Sequence, residues 1–277
     1  MSAVGGSSSL RAAAAISVWL AVTILAAPVQ LIAVFTNRRL ANRIPHLYHR
    51  LCCRLMGARV ERVGTPSAAQ PTLFVVNHVS WLDIMALSAS AELSFVAKRE
   101  VRAWPFFGWL ALLQRTVFVA RDPRKVAGER DDIASRLAVG DNLVLFAEGT
   151  SSPGTTVLPF KSALFAVAQA NPDVALMIQP VSISYVRLAG MPVGRQWRDC
   201  FAWYGDMDLV PHFWRVFGLG RFTVRLEFHE AVDARGYASR KALAQHCESL
   251  ISAGVAAAHA GRTERPESAA EDGRRAA

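Results

Sequence analysis

"TLFVVNHVSWLDIMALSAS", Thr72–Ser90, changes character twice within a short distance. Leu73-Phe74-Val75-Val76 has the length and β-branched content of a buried strand, whereas Trp81–Ser90 is helix-like. Asn77 to Ser80 must therefore turn the chain, and a strand feeding directly into a helix is the unit of an α/β fold. The same turn holds His78, five positions before Asp83. Residues five apart in a regular helix lie about 140° apart around the axis, so the two side chains cooperate only if His78 belongs to the turn. From there one ring nitrogen can meet Asp83, leaving the other to accept a proton. A structural histidine beside a helix-start aspartate satisfies the same spacing. Ser80 and Asn77 are both candidates to cap the helix.

The pattern repeats on either side. Short β-branched or aromatic runs, "TLFVVN", "LSFVAK", "TVFVA", "NLVLFAEG", "LMIQPVSISY" and "FTVRLEFHE", alternate with helix-like stretches, including "VAGERDDIASRLAVG" and "SALFAVAQANPD". Several of the strands are continuously apolar, as expected where helices cover both faces of a sheet. The fold class is α/β, a mixed sheet covered by helices. Residues 58–259 form one catalytic domain in this reading, and the polar ends, 1–10 and 260–277, are expected to be disordered.

With 277 residues, 52% of them hydrophobic, the chain can bury a sizeable core. A net charge of +9 favours anionic partners without choosing among nucleic acid, lipid headgroups and phosphorylated substrates. The four cysteines show no CxxC spacing, which points away from a zinc site or a disulfide framework and suits a reducing compartment. No metal is expected, because His78 and Asp83 have no further ligands nearby in sequence.

Ala12 to Phe35 carries no charged side chain and is long enough to span a bilayer. Pro28 and Gln30 suggest a bend or a re-entrant course, and the run exceeds a typical signal-peptide core. Behind it, "NRRLANRIPHLYHRLCCRLMGARVER" interleaves arginines with Leu47, Leu51 and Leu55 at helical spacing, as in a basic interfacial helix; a plain solvated helix is the alternative. Residues 11–57 are thus expected to be membrane-anchoring helices. The arginine density behind the apolar run favours the cytoplasmic side for the rest of the chain. Beside a membrane-length run and without a familiar nucleic-acid motif, the charge does not argue for nucleic acid.

Two further stretches carry chemistry. In "LVLFAEGTSSPGTTVLPFKSA" a strand-like run opens into Glu148-Gly149-Thr150-Ser151-Ser152, where small residues permit close backbone approach and a lone carboxylate can order the loop or accept a substrate hydroxyl. An ordinary turn is the bland alternative. "FVAKREVRAWPFFGWLALLQRTVFVARD" places Lys98, Arg99, Arg115 and Arg121 around aromatics suited to a membrane interface, and the cations could hold an anionic headgroup or the phosphates of an acyl carrier. Pro180 in "IQPVSISY" marks a pocket wall, an edge or a bulge. Ser80 lacks the GxSxG setting of a hydrolase nucleophile.

"NHVSWLD", "LQRTVFVAR", "FAEGTSS" and "IQPVSISY", in this order over roughly residues 70–190, resemble the four blocks of the glycerolipid acyltransferase family, which includes the lysophosphatidic acid acyltransferases. The resemblance implies a domain of that fold on the cytoplasmic face of a membrane. It implies transfer of an acyl group from acyl-CoA or acyl carrier protein to a lysolipid hydroxyl, with no further cofactor. It makes His78 the general base, Asp83 its orienting partner, and Glu148 and Gly149, with Thr150 and Ser151, part of an acceptor-binding loop; Lys98 and Arg121 help place anionic groups.

One departure bears on the acceptor. Phosphate-using members commonly read Phe-Pro-Glu-Gly-Thr-Arg in the third block, whereas this chain has Ala147 for the proline and Ser151 for the arginine. Serine cannot grip a phosphate as arginine does. "EGTSS" with "VLPFKSAL" and "WYGDMDLVPHFWRVF" is similar to the bacterial branch that acylates lyso-ornithine lipid, which becomes the favoured acceptor. Lysophosphatidic acid stays open, since Arg121, Lys98 or Lys161 could replace the missing cation. A non-catalytic basic protein of the membrane surface is the remaining alternative.

Overall fold

A computed structural model describes residues 7–119, 126–169 and 176–262. Two long helices, α1 (Ser9–Thr36) and α2 (Arg38–Met56), lead into a mixed sheet. After them come β1 (Ala58–Val63), β2 (Thr72–Val76), α3 (Leu82–Ser88), β3 (Ser94–Lys98), α4 (Phe107–Leu113), β4 (Val117–Val119), α5 (Val126–Ala138), β5 (Leu143–Phe146), β6 (Met177–Leu188), β7 (Met191–Pro192), α6 (Leu209–Gly218), β8 (Phe222–Phe228), β9 (Val232–Asp233) and α7 (Arg240–His259). The strands run in the order β1-β8-β6-β2-β5-β3-β4. From β6 to β4 neighbours are parallel, whereas β8 runs antiparallel to β6 and carries β1 parallel at the edge.

β2 lies inside this sheet, paired with β5 on one side and β6 on the other, and all five of its residues are buried. Phe74 and Val76 face a core shared with α1, α2, α3 and α6, while Leu73 and Val75 face one shared with α5, α7 and the 3-10 turn Ser162–Gln169. Two covered faces explain the continuous apolar run. On the α7 side, helix and sheet approach so closely that a Cβ at Gly254 would lie 2.3 Å from Ser182 Oγ and 3.0 Å from His229 Nε2. Those two side chains bond each other at 2.7 Å, and the Ser182 hydroxyl donates to Ile251 O at 3.1 Å. Gly254→Ala is therefore expected to destabilise the fold by about 1–3 kcal/mol, the usual scale of overpacking, as measured by denaturant unfolding.

α1 runs unbroken through Pro28 and is long and apolar enough to cross a membrane. It does not stand apart from the domain. Trp19 meets the rings of Phe213 and Phe217, Thr23 shares a hydrogen bond with Tyr48, and the Gln30 amide donates to the carbonyls of Ala41 and Leu113 at 2.9 and 2.7 Å. Gln30 thus docks α1 onto α2 and α4. Ile24, Leu25, Val29, Ile32 and Phe35 line the opposite, exposed side. Asp141, buried in the turn before β5, accepts from Arg38, Arg115 and Arg136 at 2.8, 2.8 and 2.6 Å. Burial alone would raise its pKa, but the hydrogen bonds from Arg38 and Arg136 and the arginine charges hold it below the ordinary carboxylate value.

Several expectations shift. α1 begins at Ser9, so the helix takes in the last residues of the N-terminal stretch 1–10 expected to be disordered; residues 1–6 and 263–277 lie outside the described ones. The basic stretch is helical only to Met56, because Gly57, at φ +83°, ends α2, and "ARVERV" forms edge strand β1. "SALFAVAQ" is a 3-10 segment. Pro180 pairs with Val75 of β2, and its carbonyl accepts from His229 N, between the stretches of β6 that pair with β8 and β9.

Candidate active site

β2 ends at Val76 and the chain turns through Asn77–Trp81 into α3. Asn77 does not cap the helix: its amide bridges to β6, donating to Ile183 O at 3.0 Å and accepting from Ile183 N at 2.9 Å. Ser80 Oγ lies only at the limit of reach of Leu82 N, 3.4 Å. The organising group is Asp83, fully buried in the first turn of α3. Its Oδ2 accepts from Val79 N at 2.7 Å and Ser80 N at 2.9 Å, and His78 Nδ1 lies 2.8 Å away. Its Oδ1 accepts from the Tyr185 hydroxyl at 2.7 Å. A carboxylate tied at four points leaves His78 one orientation. With Nδ1 turned to Asp83, Nε2 carries no hydrogen bond to any described residue, and the side chain stays 19% exposed. The imidazole stacks on Phe146, centroids 3.9 Å apart.

The loop after β5 braces the same turn. Glu148 Oε1 accepts from His78 N at 2.8 Å and Oε2 from Leu158 N at 3.3 Å. Burial pushes the Glu148 carboxyl up to about 7, against those N–H bonds and the charge of His78, which lower it. Ser152 holds the other side, its N and Oγ reaching His78 O at 2.9 and 3.1 Å. Gly149 sits at φ +66°, and a Cβ there would meet the Lys161 side chain at 3.0 Å. Lys161 thus crosses directly over the Glu148-Gly149 turn.

The structure brings His78, Asp83, Glu148 and Gly149 together. Thr150 is exposed and Ser151 half-buried, and neither bonds to His78 or Asp83. Lys98 ends β3, separated from β2 by β5 in the sheet order. Arg121 lies outside the described residues. Three contributors carry no assignment from sequence: Ser152, Tyr185 and the pair Trp81–His212. Trp81 Nε1 donates to His212 Nδ1 at 3.0 Å, joining the His78 turn to α6. Burial and then the charge of Arg215 lower the His212 pKa to about 4, keeping it a neutral acceptor. Tyr185 ends the stretch "IQPVSISY", but only the pairing of β6 with β2 shows that it reaches Asp83.

The acyltransferase family profile matches residues 58–184. The chain is 46% identical over 226 residues to a lyso-ornithine lipid O-acyltransferase of Brucella abortus (strain 2308), covering 80% of this chain and 85% of that one. It is 34% identical over 197 residues to a 1-acyl-sn-glycerol-3-phosphate acyltransferase of Neisseria meningitidis serogroup B, covering 70% and 74%. Its fold is similar to the crystal structure of the 1-acyl-sn-glycerophosphate acyltransferase PlsC from Thermotoga maritima, with a TM-score of 0.64, 22% identity, and coverage of 93% and 98%. Taken with that overlap in sequence and architecture, the chain is an enzyme of the acyltransferase family.

Proposed function

We propose that the protein is a membrane-associated O-acyltransferase that moves a fatty acyl group from a carrier thioester, acyl carrier protein or CoA, to the hydroxyl of a lysolipid, with lyso-ornithine lipid the favoured acceptor. The His78–Asp83 contact at 2.8 Å, with Nε2 left open, carries the reading. His78 Nε2 takes the acceptor hydroxyl proton as that oxygen attacks the thioester carbonyl. The tetrahedral intermediate collapses with rupture of the C–S bond, and the proton passes from His78 to the departing thiolate. Asp83 keeps the tautomer and steadies the imidazolium. No covalent enzyme intermediate is needed.

The acceptor assignment rests on Ser151, which offers no charge where phosphate-using members carry arginine, and on the similarity to the Brucella enzyme. Lys161 favours a second reading. Its ammonium lies over Gly149, where it could take up a phosphate as a point charge, consistent with lysophosphatidic acid as acceptor. Membranes containing the protein, offered labelled acyl carrier protein with either lysolipid, separate the two. Faster acylation of lyso-ornithine lipid is expected; a clear preference for lysophosphatidic acid, abolished by Lys161→Gln, would overturn that choice.

The proposed location is the bacterial cytoplasmic membrane, with the sheet domain on the cytoplasmic side. Support comes from the apolar outer side of α1 and the arginines that follow it. Because α1 is docked on α2 and α4, it presents one apolar side to lipid, a geometry suited to lying in one leaflet.

Glu148 predicts a pH dependence. Its pKa is raised by burial, so its contribution to stability is full below the ordinary value of 4.5 and is lost as pH rises through about 7. Activity is expected to move the other way, since the ionised carboxylate is the better acceptor for the N–H groups of His78 and Leu158. The wild-type rate should rise through about pH 7, and Glu148→Gln should lower the plateau and shift that limb. An unchanged limb in the variant's pH–rate profile would assign it elsewhere.

A further inference from the structure

A second site lies away from the catalytic turn, in a groove of about 330 Å3 between α2, β1 and the segment after α3. His46, Arg50 and Arg54 form one wall, at four-residue spacing on one side of α2. Arg62 closes the opposite wall from β1, and Ser90 lies in the segment just after α3. No carboxylate lines the groove, and none of Arg50, Arg54 or Arg62 pairs with an acidic side chain among the described residues. Glu61 points to the other face of β1, toward Arg59. Like charges converging without a counter-ion repel one another, and a bound anion relieves that repulsion. The neighbouring stripe of α2 identifies the source of the anion. Leu47 and Leu51 each follow a basic wall residue by one position, about 100° round the helix, and both are exposed. With that stripe against the acyl chains, the arginine wall stands at headgroup depth.

We infer that this groove binds the phosphate of an anionic phospholipid, as a recognition site separate from the one that holds the acyl acceptor. The test uses the full chain in detergent micelles, titrated with phosphatidylglycerol, phosphatidylcholine or inorganic phosphate, reading thermal unfolding. Phosphatidylglycerol is expected to raise Tm to saturation, and the other two are not. In Arg54→Gln/Arg62→Gln the half-saturating phosphatidylglycerol fraction should rise by about tenfold or more, the scale of two interfacial cations removed. Its Tm in phosphatidylcholine should match wild type, because both side chains are exposed. Arg39→Gln/Arg43→Gln removes the same charge from α2 outside the groove and should titrate like wild type. Equal weakening in both double variants would reduce the effect to diffuse charge and overturn the site. Unchanged titration of the groove variant would overturn it directly. An equal Tm rise with inorganic phosphate would overturn the lipid as its ligand.

Discussion

His78→Ala is expected to lower the rate of acyl transfer by about 10²- to 10⁴-fold, the range for losing a general base, with the protein still folded. The fold survives because of how little of it depends on this side chain. Its ring is partly exposed and stacks on Phe146, whereas the interactions that shape the turn run through the backbone: His78 N to Glu148, and His78 O to Ser152. Alanine keeps both. Asp83 would still hold Val79 N and Ser80 N. Tm close to wild type, with single-turnover chemistry slowed and partly restored by added imidazole, is the expected set of results. Full activity in this variant would eliminate His78 as the base.

Asp83→Asn should be at least as damaging to catalysis, by about 10³- to 10⁴-fold, for a different reason. An asparagine can turn its carbonyl toward the Val79 and Ser80 N–H groups and its amide toward Tyr185, whose hydroxyl can accept instead of donating. The turn therefore survives with a modest fall in Tm. The negative charge beside the imidazole does not survive, and the imidazolium formed during proton transfer is left without its partner. Asp83→Ala differs in kind, because three buried donors lose their acceptor and the fold should weaken as well. Retention of wild-type kcat in Asp83→Asn would show that Asp83 shapes the turn without acting on the proton.

The dyad is legible in sequence because all its determinants are local: an apolar strand, a turn, and a helix beginning within seven residues of the strand's end. The flanking contacts are not. Tyr185 reaches Asp83 across 102 positions, and that hydrogen bond depends on the register of β6 against β2. Ser152 and Glu148 act on the backbone of His78, which no residue pattern records. β1 is hidden because "ARVERV" continues the arginine rhythm of α2, and only the left-handed Gly57 separates the two. Asn77 reads locally as a cap for its own helix, but tertiary pairing with Ile183 claims both ends of its amide.

The docking of α1 changes what can be removed from this protein. Trp19 covers Phe213 and Phe217 on α6; Phe213 packs on Trp81, and His212 accepts from the same indole, three residues from His78. Deleting the first 36 residues to obtain a soluble fragment would strip an aromatic roof from the rings that pack on Trp81 beside the proposed site. It would also leave the backbone carbonyls of Ala41 and Leu113 without the amide that now meets them. In this enzyme the apolar N-terminal helix is part of the scaffold, so solubility has to come from altering the exposed apolar residues of α1, not from cutting the helix away.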